Sequence, residues 1–160
     1  MIGLLSRFLR TSNGLSSSLL YNEQTFYKAF MRDLSLCKDE AIIESPFITS
    51  NRIASLLPIF RKMRSRNIRI VVNTRHPSEH EQPYGDQAWA EIAQMQLIGI
   101  EVLFTGSHHR KLAIFDRQIL WEGSLNILSQ YDSCEIMRRI DSIKLAEHTL
   151  SFTKLTHYLK

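Results

Sequence analysis

Two short apolar runs, Leu112 to Phe115 and Ile119 to Trp121, flank the polar triplet Asp116, Arg117 and Gln118. Runs of that length joined by turn-forming residues predict a β-hairpin. A hairpin brings whatever lies beyond its two open ends to the same place. Here His109-Arg110-Lys111 precedes the first strand, and Gly123-Ser124-Leu125-Asn126 follows the second. A histidine, a lysine, a serine and an asparagine are therefore expected where they can converge on one phosphate.

The rest of the chain supplies elements to pack against that hairpin. Phe26, Phe30 and Leu34 recur at helical spacing, and Asn22 is a plausible N-cap, predicting a helix from Asn22 to about Leu36. Ala41 to Ser45 reads as a strand stopped by Pro46, which has no donor for a ladder. Thr49 or Ser50 opens a second helix running to Ser65, with Pro58 as its weak point. Ile68 to Asn73 is a β-branched strand, and Trp89, Ile92, Ala93 and Leu97 mark a helix closed by Gly99. Ile100 to Phe104 and Glu135 to Ile140 are further strands, and Ser142 to Leu159 is a closing helix. Strands alternating with helices, followed by a hairpin, predict an α/β fold: a mixed β-sheet flanked by helices on both faces. Phe26, Phe30, Trp89 and Trp121 sit at core-like spacings and are read as packing.

Strand parity sorts the polar residues. If residues 109 to 115 are extended, His109, Lys111 and Ala113 share one face while Leu112, Ile114 and Asp116 take the other. His108 has the wrong parity to join His109. Ser124 and Asn126 also share parity, and Gly123 permits close backbone approach. Each residue type suits phosphoryl chemistry. Neutral imidazole attacks phosphorus and can form a covalent intermediate. An ammonium neutralises non-bridging oxygens, and hydroxyl and amide groups donate to them.

The spacing His109-x-Lys111-x4-Asp116-x6-Gly123-Ser124-x-Asn126 spans 18 residues and resembles the full signature of the phospholipase D superfamily. The Glu-Ser-Pro-Phe-Ile-Thr stretch at 44 to 49 is similar to that family as well. The resemblance implies a phospholipase D-like half-domain, a nucleophilic His109 forming a phosphohistidine, and no metal or other cofactor. Asp116 belongs to the signature, but its parity points to a structural role. Glu135, nine residues beyond Asn126, matches the acidic residue that orients the histidine in the family, or else it pairs at the surface with Arg138 or Arg139. Family sites need two motifs and this chain carries one. The resemblance therefore implies a homodimer with a composite site, whose interface is isologous by symmetry.

Composition bears on partners. The net charge is +4, and no apolar run approaches the ~20 residues of a membrane span, so nucleic acid is the expected substrate and a membrane is not. Arg61, Lys62, Arg64, Arg66 and Arg69 form the densest basic segment. With Arg110 added, Arg61, Lys62, Arg64 and Arg66 are candidates for the nucleic-acid backbone, although cations at a helix C-terminus also suit the dipole. His76-Pro77-Ser78-Glu79-His80 matches the literal H-x-x-E-H zinc pattern but lies in a Pro-rich loop where no helix presents both histidines, so no metal site is assigned. Cys37 and Cys134 read as buried free thiols.

Residues 1–21 read as an N-terminal arm ahead of a catalytic domain at 22–160. The arm has no acidic residue and carries Arg7, Arg10 and several serines. It suits a targeting peptide, a docking helix or a domain-boundary remnant, with cytoplasmic residence the expectation. Three functional readings stay open: a DNA or RNA nuclease, a phospholipid headgroup hydrolase of the same fold, and a binding or dimerisation module with weak turnover. A helicase or recognition domain as a larger partner is compatible with the first.

Overall fold

The computed structural model describes residues 17–129 and 132–159. Residues 1–16, most of the arm read from the sequence, lie outside them. Seven strands form one mixed sheet: β1 (Ser17–Asn22), β2 (Glu40–Glu44), β3 (Arg69–Thr74), β4 (Glu101–Phe104), β5 (Leu112–Phe115), β6 (Ile119–Gly123) and β7 (Ile136–Asp141), in the spatial order β1-β7-β6-β5-β2-β3-β4. β2 pairs in parallel with β3, and β3 with β4, while every other neighbouring pair is antiparallel.

The helices α1 (Phe26–Leu36), α2 (Ser50–Ser65), α3 (Tyr84–Leu97) and α4 (Ile143–Phe152) cover both faces. Parallel neighbours need crossover connections, and α2 and α3 supply them. Phe26 and Phe30 of α1, Ile53 and Phe60 of α2, and Ile92 and Met95 of α3 pack with Ile43, Val72, Ala113 and Trp121 of the sheet. On the opposite face Ala146 and Leu150 of α4 pack with Ile42, Val71, Leu112 and Ile114. Successive residues of β2, β3 and β5 thus enter different cores, which is why these strands read as unbroken apolar runs.

Several expectations are corrected. Asn22 caps no helix. It ends β1, and its side chain accepts from the N–H groups of Gln24 and Thr25 in a turn that delays α1 to Phe26. Ser17–Asn22 pairs antiparallel with β7, in register Ser17↔Asp141. No local pattern announces that strand, because its stabilising partner lies at the far end of the chain. The closing helix stops at Phe152 and yields to a 3-10 turn over Leu155–His157. Phe26, Phe30 and Trp121 are fully buried, but Trp89 is 45% exposed. Trp89 lies on α3 beside the sheet's edge strand β4, where its ring meets those of Phe104 and His76. Cys37 is buried, whereas Cys134 is exposed in the loop before β7.

Candidate active site

The hairpin β5–β6 forms as expected, in the register Leu112↔Glu122 and Phe115↔Ile119. At its open end the Gly123 N–H donates to the Lys111 carbonyl at 3.3 Å, extending the ladder by one bond. That bond ties the His109-Lys111 segment to the Gly123-Ser124 segment. The Lys111 Nζ lies 2.9 Å from His109 Nδ1 and donates to the His109 carbonyl at 2.8 Å. An ammonium can only donate, so it occupies the Nδ1 lone pair. His109 is solvent-exposed and Lys111 half-buried. Burial, assisted by the Arg75 charge and opposed by Glu135, holds the Lys111 ammonium below its ordinary pKa.

Ser124 is pinned between β6 and β7. Its N–H donates to the Ile136 carbonyl at 2.9 Å, and its Oγ accepts from the Ile136 N–H at 3.1 Å. The same hydroxyl donates to the Glu135 carboxylate, which also accepts from Ser133 Oγ at 2.7 Å. Glu135 therefore sits beside the motif, but within one chain it holds Ser124, and no hydrogen bond joins it to His109. Gly123 has a steric reason: a Cβ there would lie 2.1 Å from the Ile136 carbonyl oxygen and 2.9 Å from Met137 Cα. Asn126 is half-buried at the rim of a cleft, and its Oδ1 is buried without a partner among the described residues.

Under the motif lies a cluster that sequence reasoning missed. Glu44 closes β2, is fully buried, and shares the face of Ile42. Its carboxylate accepts two bonds from Arg110, at 2.6 and 2.7 Å, and one from Asn73 Nδ2 at 2.7 Å. Asn73 in turn accepts from Thr105 Oγ1 at 3.0 Å. His108, 2% exposed, places Nε2 at 3.4 Å from the same carboxylate, without a hydrogen bond. Burial alone would raise the Glu44 pKa, but Arg110, His108 and Asn73 together outweigh it and bring it down to about 2. In the sequence Glu44 opens the Glu-Ser-Pro-Phe-Ile-Thr stretch and Asn73 is an amide near the end of an otherwise apolar strand, but neither feature points to Arg110.

Asp116 lies at the closed end of the hairpin, away from the motif. Its carboxylate accepts from the backbone N–H groups of Lys38, Asp39 and Glu40 at 2.8–3.2 Å and from Cys37 Sγ at 3.1 Å. Those bonds offset burial and lower its pKa, while burial and the Asp116 charge push the Cys37 thiol up to about 12. Asp116 and Arg117 both take left-handed φ of 51°, a conformation Asp tolerates better than most side chains.

The basic segment is not brought to the motif. Arg61, Lys62 and Arg64 occupy the end of α2 that leads into β3, and Arg66 follows it. Glu44, which precedes α2, is paired with Leu112 at the motif end, and α2 carries Arg61 to Arg66 about 16–24 Å along its axis from its start. Arg64 donates to the carbonyls of Ile68 and Ile98, and Arg66 to that of Ser35. Arg69 pairs with Glu101 and Glu40. Arg110 lies at the motif end, but its guanidinium is bound to Glu44. His76 and His80 diverge: one ring meets Trp89 and Phe104, the other Phe47. Among the described residues no three His, Cys, Asp or Glu side chains gather as metal ligands. No helix among them is long and apolar enough to cross a membrane.

The family described as "Cardiolipin synthase, PLD-like domain" matches residues 30–154. No curated protein sequence matches the chain. Among solved structures, the chain resembles Nuc, a phospholipase D family member from Salmonella typhimurium, with TM-score 0.69 and 15% identity, covering 85% of this chain and 90% of that one. It is similar to NucT from Helicobacter pylori, with TM-score 0.67 and 18% identity over 86% and 93% of the two chains. TrmBL2, an archaeal chromatin protein described as having a novel mode of DNA binding, aligns with TM-score 0.59 and 12% identity, over 94% of this chain and 55% of that one. At these identities the structural likeness speaks for the fold.

Proposed function

This chain belongs to the phospholipase D-like domain family, and we propose that it is a metal-independent nuclease that hydrolyses DNA or RNA at a site shared by two copies. The observation that carries the reading is the Gly123-to-Lys111 backbone bond, which holds both halves of the motif at one rim of the sheet. A single chain offers one exposed His109 there, and the proposed reaction needs two imidazoles. A two-fold dimer supplies the second.

In this reading the entering phosphodiester draws the Lys111 ammonium off His109 Nδ1 and onto its non-bridging oxygens. Nδ1 then takes a proton from solvent as Nε2 gives its own up to solvent, and Nε2 presents its lone pair to phosphorus. A P–N bond forms as the P–O bond breaks, and the departing oxygen takes a proton from the partner subunit's His109. That histidine, now neutral, removes a proton from water, which attacks phosphorus and releases His109. Asn126 donates to the phosphate oxygens, and Ser124, whose one hydroxyl proton goes to Glu135, supports it from the adjoining strand end. Asp116 and Gly123 serve the scaffold.

The test incubates plasmid, single-stranded DNA, RNA and phospholipid vesicles with the purified protein in EDTA, beside His109→Ala. Cleavage of nucleic acid in EDTA that disappears in the variant is the expected result. Activity abolished by chelation would overturn the metal-free mechanism. Hydrolysis of phospholipid alone would move the substrate to lipid headgroups.

A further inference from the structure

Asn126, the last residue of the motif, lines a cleft of about 860 Å³ between the start of α2, the 75–84 loop and the 126–129 loop. That volume lies within the ~300–1,000 Å³ usual for a small-ligand site. Two buried polar atoms without partners among the described residues line it, Arg52 Nε and Asn126 Oδ1. They flank a single tyrosine. The Arg52 guanidinium stacks on the Tyr27 ring at 3.3 Å, and the Tyr27 hydroxyl donates to the carbonyls of Ile127 at 2.9 Å and Asn126 at 3.4 Å. A guanidinium with an unmet buried donor attracts an anion. Burial also depresses the Arg52 pKa, as expected of a cation with no carboxylate beside it.

The other walls carry rings. Phe47 and His80 pack with centroids 5.1 Å apart, Arg75 approaches the Phe47 ring at 5.4 Å, and Tyr84 is 65% exposed. Glu79 on that wall is occupied, accepting from the Ser107 N–H at 3.0 Å with Arg75 at 3.9 Å. A fixed cation on one wall and ring faces on the other match the phosphate and the base of one nucleotide. A base reaches such rings only when it is splayed out of a helix.

We propose that this cleft seats the nucleotide flanking the scissile bond of an unpaired strand, with Arg52 holding its phosphate and Phe47 and Tyr84 receiving its base. The assignment rests on the nuclease reading and adds a strand preference to it.

The test uses the full chain carrying His109→Ala, so that bound strands stay intact. Fluorescence anisotropy measures its affinity for a short labelled single strand and for the same strand as a duplex, across a salt series. The single strand is expected to bind several-fold more tightly. Adding Arg52→Gln should weaken it by about tenfold and reduce the slope of log K against log salt by about 0.7, one phosphate contact. Arg52→Lys should restore the slope, which separates lost charge from misfolding. Tyr84→Ala should weaken binding with the slope unchanged. Equal affinity for duplex, or an Arg52→Gln affinity and slope equal to the parent's, would overturn the cleft assignment. If the wild-type chain still cleaves nucleic acid, the nuclease reading survives that result. No cleavage of any nucleic acid by the wild type would defeat that reading, and the assignment with it.

Discussion

Arg110 and Glu44 form a two-point ion pair directly beneath the motif, Nη2 to Oε1 at 2.6 Å and Nε to Oε2 at 2.7 Å. The pair draws residue 110 towards the face of Ile42 and Leu112. In an extended chain, anchoring residue 110 on one face leaves His109 and Lys111 for the other. A buried carboxylate on β2 thereby orients two side chains that it never touches.

Glu44→Gln keeps the shape but leaves the Arg110 cation without its counter-charge. Breaking a buried pair costs about 3–5 kcal/mol, at the lower end here because Arg110 is itself partly exposed. Urea denaturation should show that loss. Turnover of the folded variant should fall more than KM rises, since the pair positions the motif and binds no substrate.

Acid should destabilise the protein through the same residue. The Glu44 pKa is lowered from 4.5 to about 2 on folding, so its contribution is complete above pH 4.5. It is lost as pH falls from there through about 2. The shift corresponds to roughly 3 kcal/mol. Melting temperatures between pH 6 and pH 2 should fall less steeply in Glu44→Gln than in the wild type.

Gly123→Ala should separate β6 from β7, because the new Cβ meets backbone at 2.1 Å and no rotamer can relieve it. Overpacking of this kind costs about 1–3 kcal/mol. The same displacement breaks the Ser124–Glu135 contact. Both the melting temperature and turnover in the proposed nuclease reaction should drop, in contrast to Gly106→Ala, where a Cβ meets nothing within 4 Å.

Asp116→Asn retains a side chain that tolerates left-handed φ while removing the charge that gathers the N–H groups of residues 38 to 40. Hydrogen bonds to charged groups are each worth about 1.5–3 kcal/mol, and the amide oxygen keeps some of them. A net loss of roughly 2 kcal/mol is expected in chemical denaturation. Turnover per folded molecule should stay near wild type, because the motif is at the other end of the hairpin.

If two His109 side chains complete one site, a mixed dimer of wild type and His109→Ala is inactive. Activity after subunit exchange should follow the square of the wild-type fraction. A linear dependence would show that each chain works alone.

The hairpin, its turn over residues 116 to 118 and the meeting of its Lys111 and Gly123 ends were legible in the sequence. Hydrophobic periodicity and turn chemistry act over a few residues, and the hairpin needs nothing more. Parity likewise separated His108 from His109 and placed Asp116 outside the site, because alternation is a local property of extended chain. The mixed sheet with helices on both faces followed from the order of elements.

What only the tertiary structure decided depends on residues far apart in the chain. β1 exists because β7 offers it an edge more than a hundred residues away. Trp89 stays partly exposed because α3 borders an edge strand. The basic run of α2 is carried away from the motif by the helix that bears it. Glu44, Asn73 and Arg110 meet because β2 and β3 end where the antiparallel β5 begins. Local sequence reports which face a side chain takes, but an ion pair between distant residues exists only after non-local pairing has set the strand order.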